Sequence, residues 1–164
     1  MTDTLVFVDA CLLLAAVDDH DPSRRDRARH WLRHAWTTRT GRSSVQVLNE
    51  FYMQARRRFA SPLTAGDARA EVRRYQHWRP WQIDHPTVET AWAIESRYGL
   101  AYADALVVAS AQQQGCRVLL TDTLADGAQV DAVKVIDPFR SGPESLCAAA
   151  ATDAPLASPG ALPR

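Results

Sequence analysis

The chain reads as an α/β protein with a central parallel sheet flanked by helices. Three observations carry that reading. Short aliphatic runs at Leu5 to Val8, Arg117 to Leu120 and Val133 to Ile136 have the length and composition of buried strands. Longer stretches of helical period separate them, and strands alternating with helices build parallel sheets. An acid follows the first two runs closely, Asp9 and Asp122. Both acids therefore belong to the rim outside the carboxyl ends of the strands, where open α/β sheets bind ligands.

Taken in order, Leu5-Val6-Phe7-Val8 is a strand that Asp9 ends. Cys11 to Val17 starts a helix, closed by Asp18-Asp19-His20-Asp21-Pro22. A second helix runs from about Ser23, as N-cap, to about Ala35, with Ala28, Trp31, Leu32 and Ala35 on one face. A short strand is expected near Arg42-Ser43. From Ser44, the residues Val47, Leu48, Phe51, Tyr52, Ala55 and Phe59 mark a helical face, with Arg56-Arg57-Arg58 at the end where cations suit the macrodipole. Thr64 and Asp67 form a capping pair for the next helix, which carries Ala68, Val72 and Tyr75 inward. Ile83 is assigned to a short strand. Asp84-His85-Pro86 opens a helix with Val88, Ala91, Trp92 and Glu95 at successive turns, ended by Gly99. Tyr102 to Gln114 is the last helix, ended by Gly115, and the two remaining strands follow. From Ser141 the composition shifts to Ala, Pro, Gly and Ser, so residues 141–164 are expected to be a disordered tail behind a domain of residues 1–140.

A length of 164 residues fits one domain, and 46% hydrophobic residues suffice for a core. No apolar run reaches the length of a membrane span, and the N-terminus lacks the basic lead of a signal peptide. Cys11, Cys116 and Cys147 are odd in number and without CxxC spacing, which points to free thiols in the reducing cytoplasm. The net charge of zero conceals an asymmetry: residues 24–79 hold fourteen arginines against four acids. A basic flank beside an acidic floor suits a polyanion held by Arg while cations work at carboxylates.

The candidate constellation is Asp9, Glu50, Asp104 and Asp122, each at a strand end or early in a helix. Asp104 stands in the otherwise apolar YADALVVASA, where an unpaired charge is costly. Taken singly, each acid also fits a turn, a cap or a solvated helix face. Together, four carboxylates in one pocket repel one another unless hard divalent cations, Mg²⁺ or Mn²⁺, fill the space between them. Such a site activates water and stabilises charge on a phosphodiester. Asp126 precedes Gly127 and reads first as a turn residue. His30 and His34 have zinc spacing but read as a solvated helix face; Trp31, Trp78 and Trp92 fit core positions.

Four segments, VFVDACLLL with DDHDPSRRDRA behind it, SSVQVLNEFY, IESRYGLAYADALVVASAQQQGC, and VLLTDTLADG followed by VIDPF, resemble PIN-domain ribonucleases, in particular VapC-like toxins of bacterial toxin–antitoxin modules. The likeness spans about Leu5 to Phe139. It implies a PIN-like α/β/α sandwich, RNA cleavage dependent on one or two Mg²⁺ or Mn²⁺ ions, homodimerisation and inhibition by a cognate antitoxin. The family's acids fall on Asp9, Glu50 and Asp104. A fourth comes from the segment after Leu120, with Asp122 first and Asp126 in reserve. Asn49 and Thr121 are candidates for polar support of those ligands. Arg56, Arg57, Arg58, Arg69 and Arg73 are candidates for the RNA backbone, or for the face an acidic antitoxin segment covers.

The chain departs from the family's pattern in Ala10 and Cys11 after the first acid, in Ala101 before the last helix, and in Thr121-Asp122-Thr123. These departures keep open a catalytically weak or inactive domain that binds RNA or protein. Other α/β enzymes fit worse. A haloacid-dehalogenase-like phosphatase needs a second Asp two residues after Asp9, no glycine-rich phosphate loop follows the first strand, and Lys134 is followed by Val135, not by the Pro of a receiver domain.

Overall fold

The computed structural model describes residues 3–58 and 61–147. Five strands form one sheet in the order β2-β1-β3-β5-β4. They are β1 (Val6–Val8), β2 (Gly41–Arg42), β3 (Val118–Leu120), β4 (Gln129–Val130) and β5 (Val133–Ile136). The first four in that order run parallel and β4 pairs antiparallel with β5. Among the described residues six helices flank the sheet: α1 (Ala10–Ala16), α2 (Pro22–Thr38), α3 (Val45–Ala55), α4 (Ala65–Arg74), α5 (His85–Tyr98) and α6 (Tyr102–Gln113). The expected α/β sandwich with a central parallel sheet is what the chain forms, with the antiparallel β4 as the one departure in the sheet's direction.

The centre of the sheet is apolar because its strands are. Val6, Phe7, Val8, Leu119, Leu120, Val133 and Val135 are all buried. Val8 is level with Leu120, and Leu120 with Ile136, so β1, β3 and β5 end at one rim. The chain leaves β1 toward β2 on one side, whereas β3 leads to β5 on the other. The order therefore switches between β1 and β3, which is where a parallel sheet opens a crevice.

Local chemistry sets the helix starts. Pro22 occupies the first position of α2 and Asp21, not Ser23, caps it, accepting from Arg24 N at 3.0 Å. Ser44 caps α3, and Thr64 caps α4 through Asp67 as its spacing predicts. Ala101 gives α6 no side-chain cap. Gly41 lies so close to Trp78 that an added Cβ would stand 2.5 Å from the indole, which excludes larger residues there. Trp78 closes a 3₁₀ turn over Tyr75–Trp78 and packs against Trp36 at 4.9 Å between centroids, the rings tilted by 43°.

Several expectations need correction. No strand forms at Ile83; a single parallel bridge joins Ser44 to Trp81 instead. The β4 strand and the 3₁₀ turn were not anticipated. Trp31 and Trp78 are core residues, but Trp92 is 47% exposed, because α5 packs through Thr87, Ala91 and Ile94. Phe59 lies outside the described residues. Of the Ala/Pro-rich stretch, Ser141 accepts a hydrogen bond from Trp31 Nε1 at 2.8 Å and Leu146 packs on the core; residues 148–164 lie outside the described residues. Among the described residues no helix is long and apolar enough to cross a membrane. All three cysteines are free.

Candidate functional site

Asp9 stands where β1 becomes α1. Its backbone N–H donates to Leu120 O at 3.2 Å, tying the end of β1 to β3. Its carboxylate caps α1 by accepting from Ala10 N at 2.7 Å and takes the Thr121 hydroxyl at 2.7 Å. Only 6% of the residue is exposed. Burial raises its pKa to about 6; the Thr121 and Ala10 hydrogen bonds pull it back, and the charges of Glu50 and Asp104 push it up again.

The other acids arrive from three further elements. Glu50 lies on α3 and accepts from Gln54 Nε2 at 2.7 Å; Gln54 Oε1 in turn accepts from Arg58 at 2.9 Å. Asp122 follows β3 and pairs with Arg24 Nη2 at 2.9 Å. Asp9, Glu50 and Asp122 line one cleft of about 240 Å³, together with Cys11, Arg24 and Arg58. Asp104, in the first turn of α6, joins through Thr123, whose hydroxyl donates to it at 3.0 Å. The sheet and its first loops thus bring the four candidate acids to one corner of the rim.

Thr121 and Thr123 also meet each other, Oγ1 to Oγ1, at 3.0 Å. Two carboxylates and two hydroxyls therefore form a chain, Asp9–Thr121–Thr123–Asp104, with three contacts and only two hydroxyl protons. Each hydroxyl donates to its acid, Thr121 to Asp9 and Thr123 to Asp104, so the contact between the two threonines carries no proton of its own. Thr121, just past β3, supplies the hydroxyl that Ala10 and Cys11 do not.

Other candidates lie elsewhere. Asp126 accepts from Asp137 N at 2.9 Å and so bridges two loops. Asn49 is exposed and makes no side-chain hydrogen bond among the described residues. Arg56, Arg57, Arg58, Arg69 and Arg73 are all exposed, and of these only Arg58 lines the cleft. Arg56 lies over the ring of Tyr52 at 5.4 Å. His30 is 3.7 Å from Glu144, and His34 packs edge-on against Trp31. Arg24 was not anticipated. Its partner is 98 positions away, and only its place beside Asp21-Pro22, at a helix start near the rim, could have signalled it.

The donor set suits a hard cation: it is made of oxygens. Cys11 also lines the cleft, where burial, followed by the charges of Asp9 and Asp122, pushes its thiol up and favours the neutral form. Each carboxylate is nevertheless held by a protein donor. Among the described residues no three His, Cys, Asp or Glu side chains are already drawn together tightly enough to hold an ion. Glu50 and Asp122 each accept through one carboxylate oxygen, Oε1 from Gln54 and Oδ2 from Arg24.

The chain matches the PIN domain family over residues 6–126. Among solved structures, it is similar to the crystal structure of Mycobacterium tuberculosis VapC20, a sarcin–ricin loop cleaving toxin. The TM-score is 0.55 at 23% identity, over 70% of this chain and 86% of that one. That likeness is one of fold. No curated protein sequence matches the chain.

Proposed function

The chain belongs to the PIN domain family, and on that premise we propose that it is a metal-dependent endoribonuclease, a toxin of the VapC type neutralised by a cognate antitoxin. The observation that supports this most is the convergence of acids from β1, α3, α6 and the end of β3 on one corner of the rim. Asp9, Glu50, Asp104 and Asp122 would hold one or two Mg²⁺ or Mn²⁺ ions. When bound, such an ion makes water a nucleophile near neutral pH and offsets charge on a phosphoryl group. The protein's own part is positioning. Ala10 N–H and Thr121 fix Asp9, Thr123 fixes Asp104, and Gln54 fixes Glu50. Arg58 at the cleft, with Arg56, Arg57, Arg69 and Arg73 on the adjoining surface, takes the RNA backbone. The toxin works in the cytoplasm as a homodimer, which sedimentation of the purified chain tests.

A sarcin–ricin loop hairpin is a reasonable first substrate, given the structural relative. Cleavage in Mg²⁺ should vanish with EDTA and fall by more than about a hundredfold in Asp104→Asn, since even contacts that only support a ligand are worth 10- to 100-fold. Cleavage that survives both changes overturns the proposal. A second reading, a PIN domain that binds RNA or protein without cutting, is favoured by one observation: all four acids are already engaged by protein donors. Mn²⁺ titration separates the two, because absence of binding at millimolar concentration with the fold intact selects the second.

A further inference from the structure

Arg24 sits where its own helix does not favour it. It is in the first turn of α2, at the positive end of the macrodipole, and that turn contains no acid. Its backbone is pinned by Asp21 at 3.0 Å. The side chain reaches the acid-lined cleft and lies over Phe139, with Cζ 3.6 Å from the ring centroid. Of its five N–H donors, the bond to Asp122 occupies one; among the described residues Nε and Nη1 have no acceptor. A planar fork stacked on a ring, with donors to spare, is the geometry that takes a phosphate through two parallel hydrogen bonds. Arg58, the other cation of the cleft, has Nη1 committed to Gln54.

We infer that Arg24 binds one phosphate of the RNA at the acid cleft, with Asp122 and Phe139 as the residues that position it. Asp122 keeps the guanidinium in the cleft against the pull of solvent, and Phe139 sets its plane. A bare ion pair with Asp122 would require neither the stack nor the spare donors. The inference rests on the proposal that RNA is the ligand, but not on cleavage.

The test uses the full chain carrying Asp104→Asn, in Mg²⁺, and a short single-stranded RNA in which an uncharged methylphosphonate replaces one linkage at a time. With Arg24 present, one linkage should cost about tenfold in affinity, the worth of a charged hydrogen bond. In Arg24→Gln that cost should disappear while the other linkages keep theirs. Arg24→Lys, which keeps the charge but not the fork, should restore part of it, and Phe139→Leu should reduce it. The lysine variant also serves if the glutamine variant fails to fold: a linkage cost as large in Arg24→Lys as in the parent overturns the inference. So does a scan that is the same with and without Arg24, which leaves the residue as a structural partner of Asp122. Failure of the RNA to bind any of these proteins overturns the RNA reading itself, and this inference with it.

Discussion

Asp9 and Asp131 are both loop acids next to the sheet, and they are treated in opposite ways. Asp131 lies at the β4–β5 turn in the left-handed region, φ 51°. Its carboxylate accepts from the Tyr98 hydroxyl at 2.7 Å, Gln112 at 3.1 Å and Arg97 at 2.9 Å. Those donors, Tyr98 first, hold its pKa below the usual range. Asp9 is buried, faces two other acids, and has one hydroxyl and one N–H in return. One acid is saturated so that it can tie a hairpin to α5 and α6. The other is left short of positive charge, the condition under which a carboxylate welcomes a cation.

Breaking each acid should therefore have opposite consequences. Asp9→Asn should lower cleavage by more than about a hundredfold, yet stabilise the metal-free chain at neutral pH. The folded protein keeps a proton on Asp9 up to about pH 6, whereas an unfolded carboxyl loses it near 3.8. The native state thus binds more protons across that window. Stability is greatest below it and falls as pH rises through it, by on the order of 3 kcal/mol. Urea unfolding in EDTA at pH 4.5 and pH 7 should show this fall in the parent and lack it in Asp9→Asn. An equal pH dependence in both proteins breaks the comparison.

Thr121→Val sharpens it. Loss of the hydroxyl leaves Asp9 with a single donor, so metal affinity should weaken by roughly 10- to 100-fold. The acid limb of the cleavage–pH profile should move upward, because the lost hydrogen bond favoured the charged form. Direct Mn²⁺ titration and a pH series check the two parts. The smallest effect belongs to Asp131→Asn. Its partners are solvent-exposed, so the loss in stability should stay under about 1 kcal/mol, with cleavage unchanged. Its pH dependence has the opposite sign, since stability from a depressed carboxyl is lost on acidification.

The same contrast explains what could be read from the sequence. Asp9 and Asp122 were legible because each closely follows an aliphatic run, and Asp104 because it interrupts an apolar helix. The β1 and β5 strands were legible for the same reason as the runs themselves. β4 was not: two residues, one exposed, carry no period, and its turn uses Asp131 at positive φ without a glycine. Trp92 misled because an aromatic at a helical spacing reads as core, whereas α5 buries Thr87, Ala91 and Ile94 instead. The Arg24–Asp122 pair was hidden by its separation along the chain. Among the arginines of α2, only its position at the Asp21-Pro22 helix start sets Arg24 apart.

The sheet's margins have a consequence for how the protein behaves at high concentration. On one side β2 is two residues long, and beyond it the backbone of Ser43 and Val45 is taken up by Trp81. On the other, β4 is equally short and turns back antiparallel. Among the described residues a foreign strand meets no extended ladder of free N–H and C=O groups on which to grow. Fibril-like stacking is thereby disfavoured at both margins.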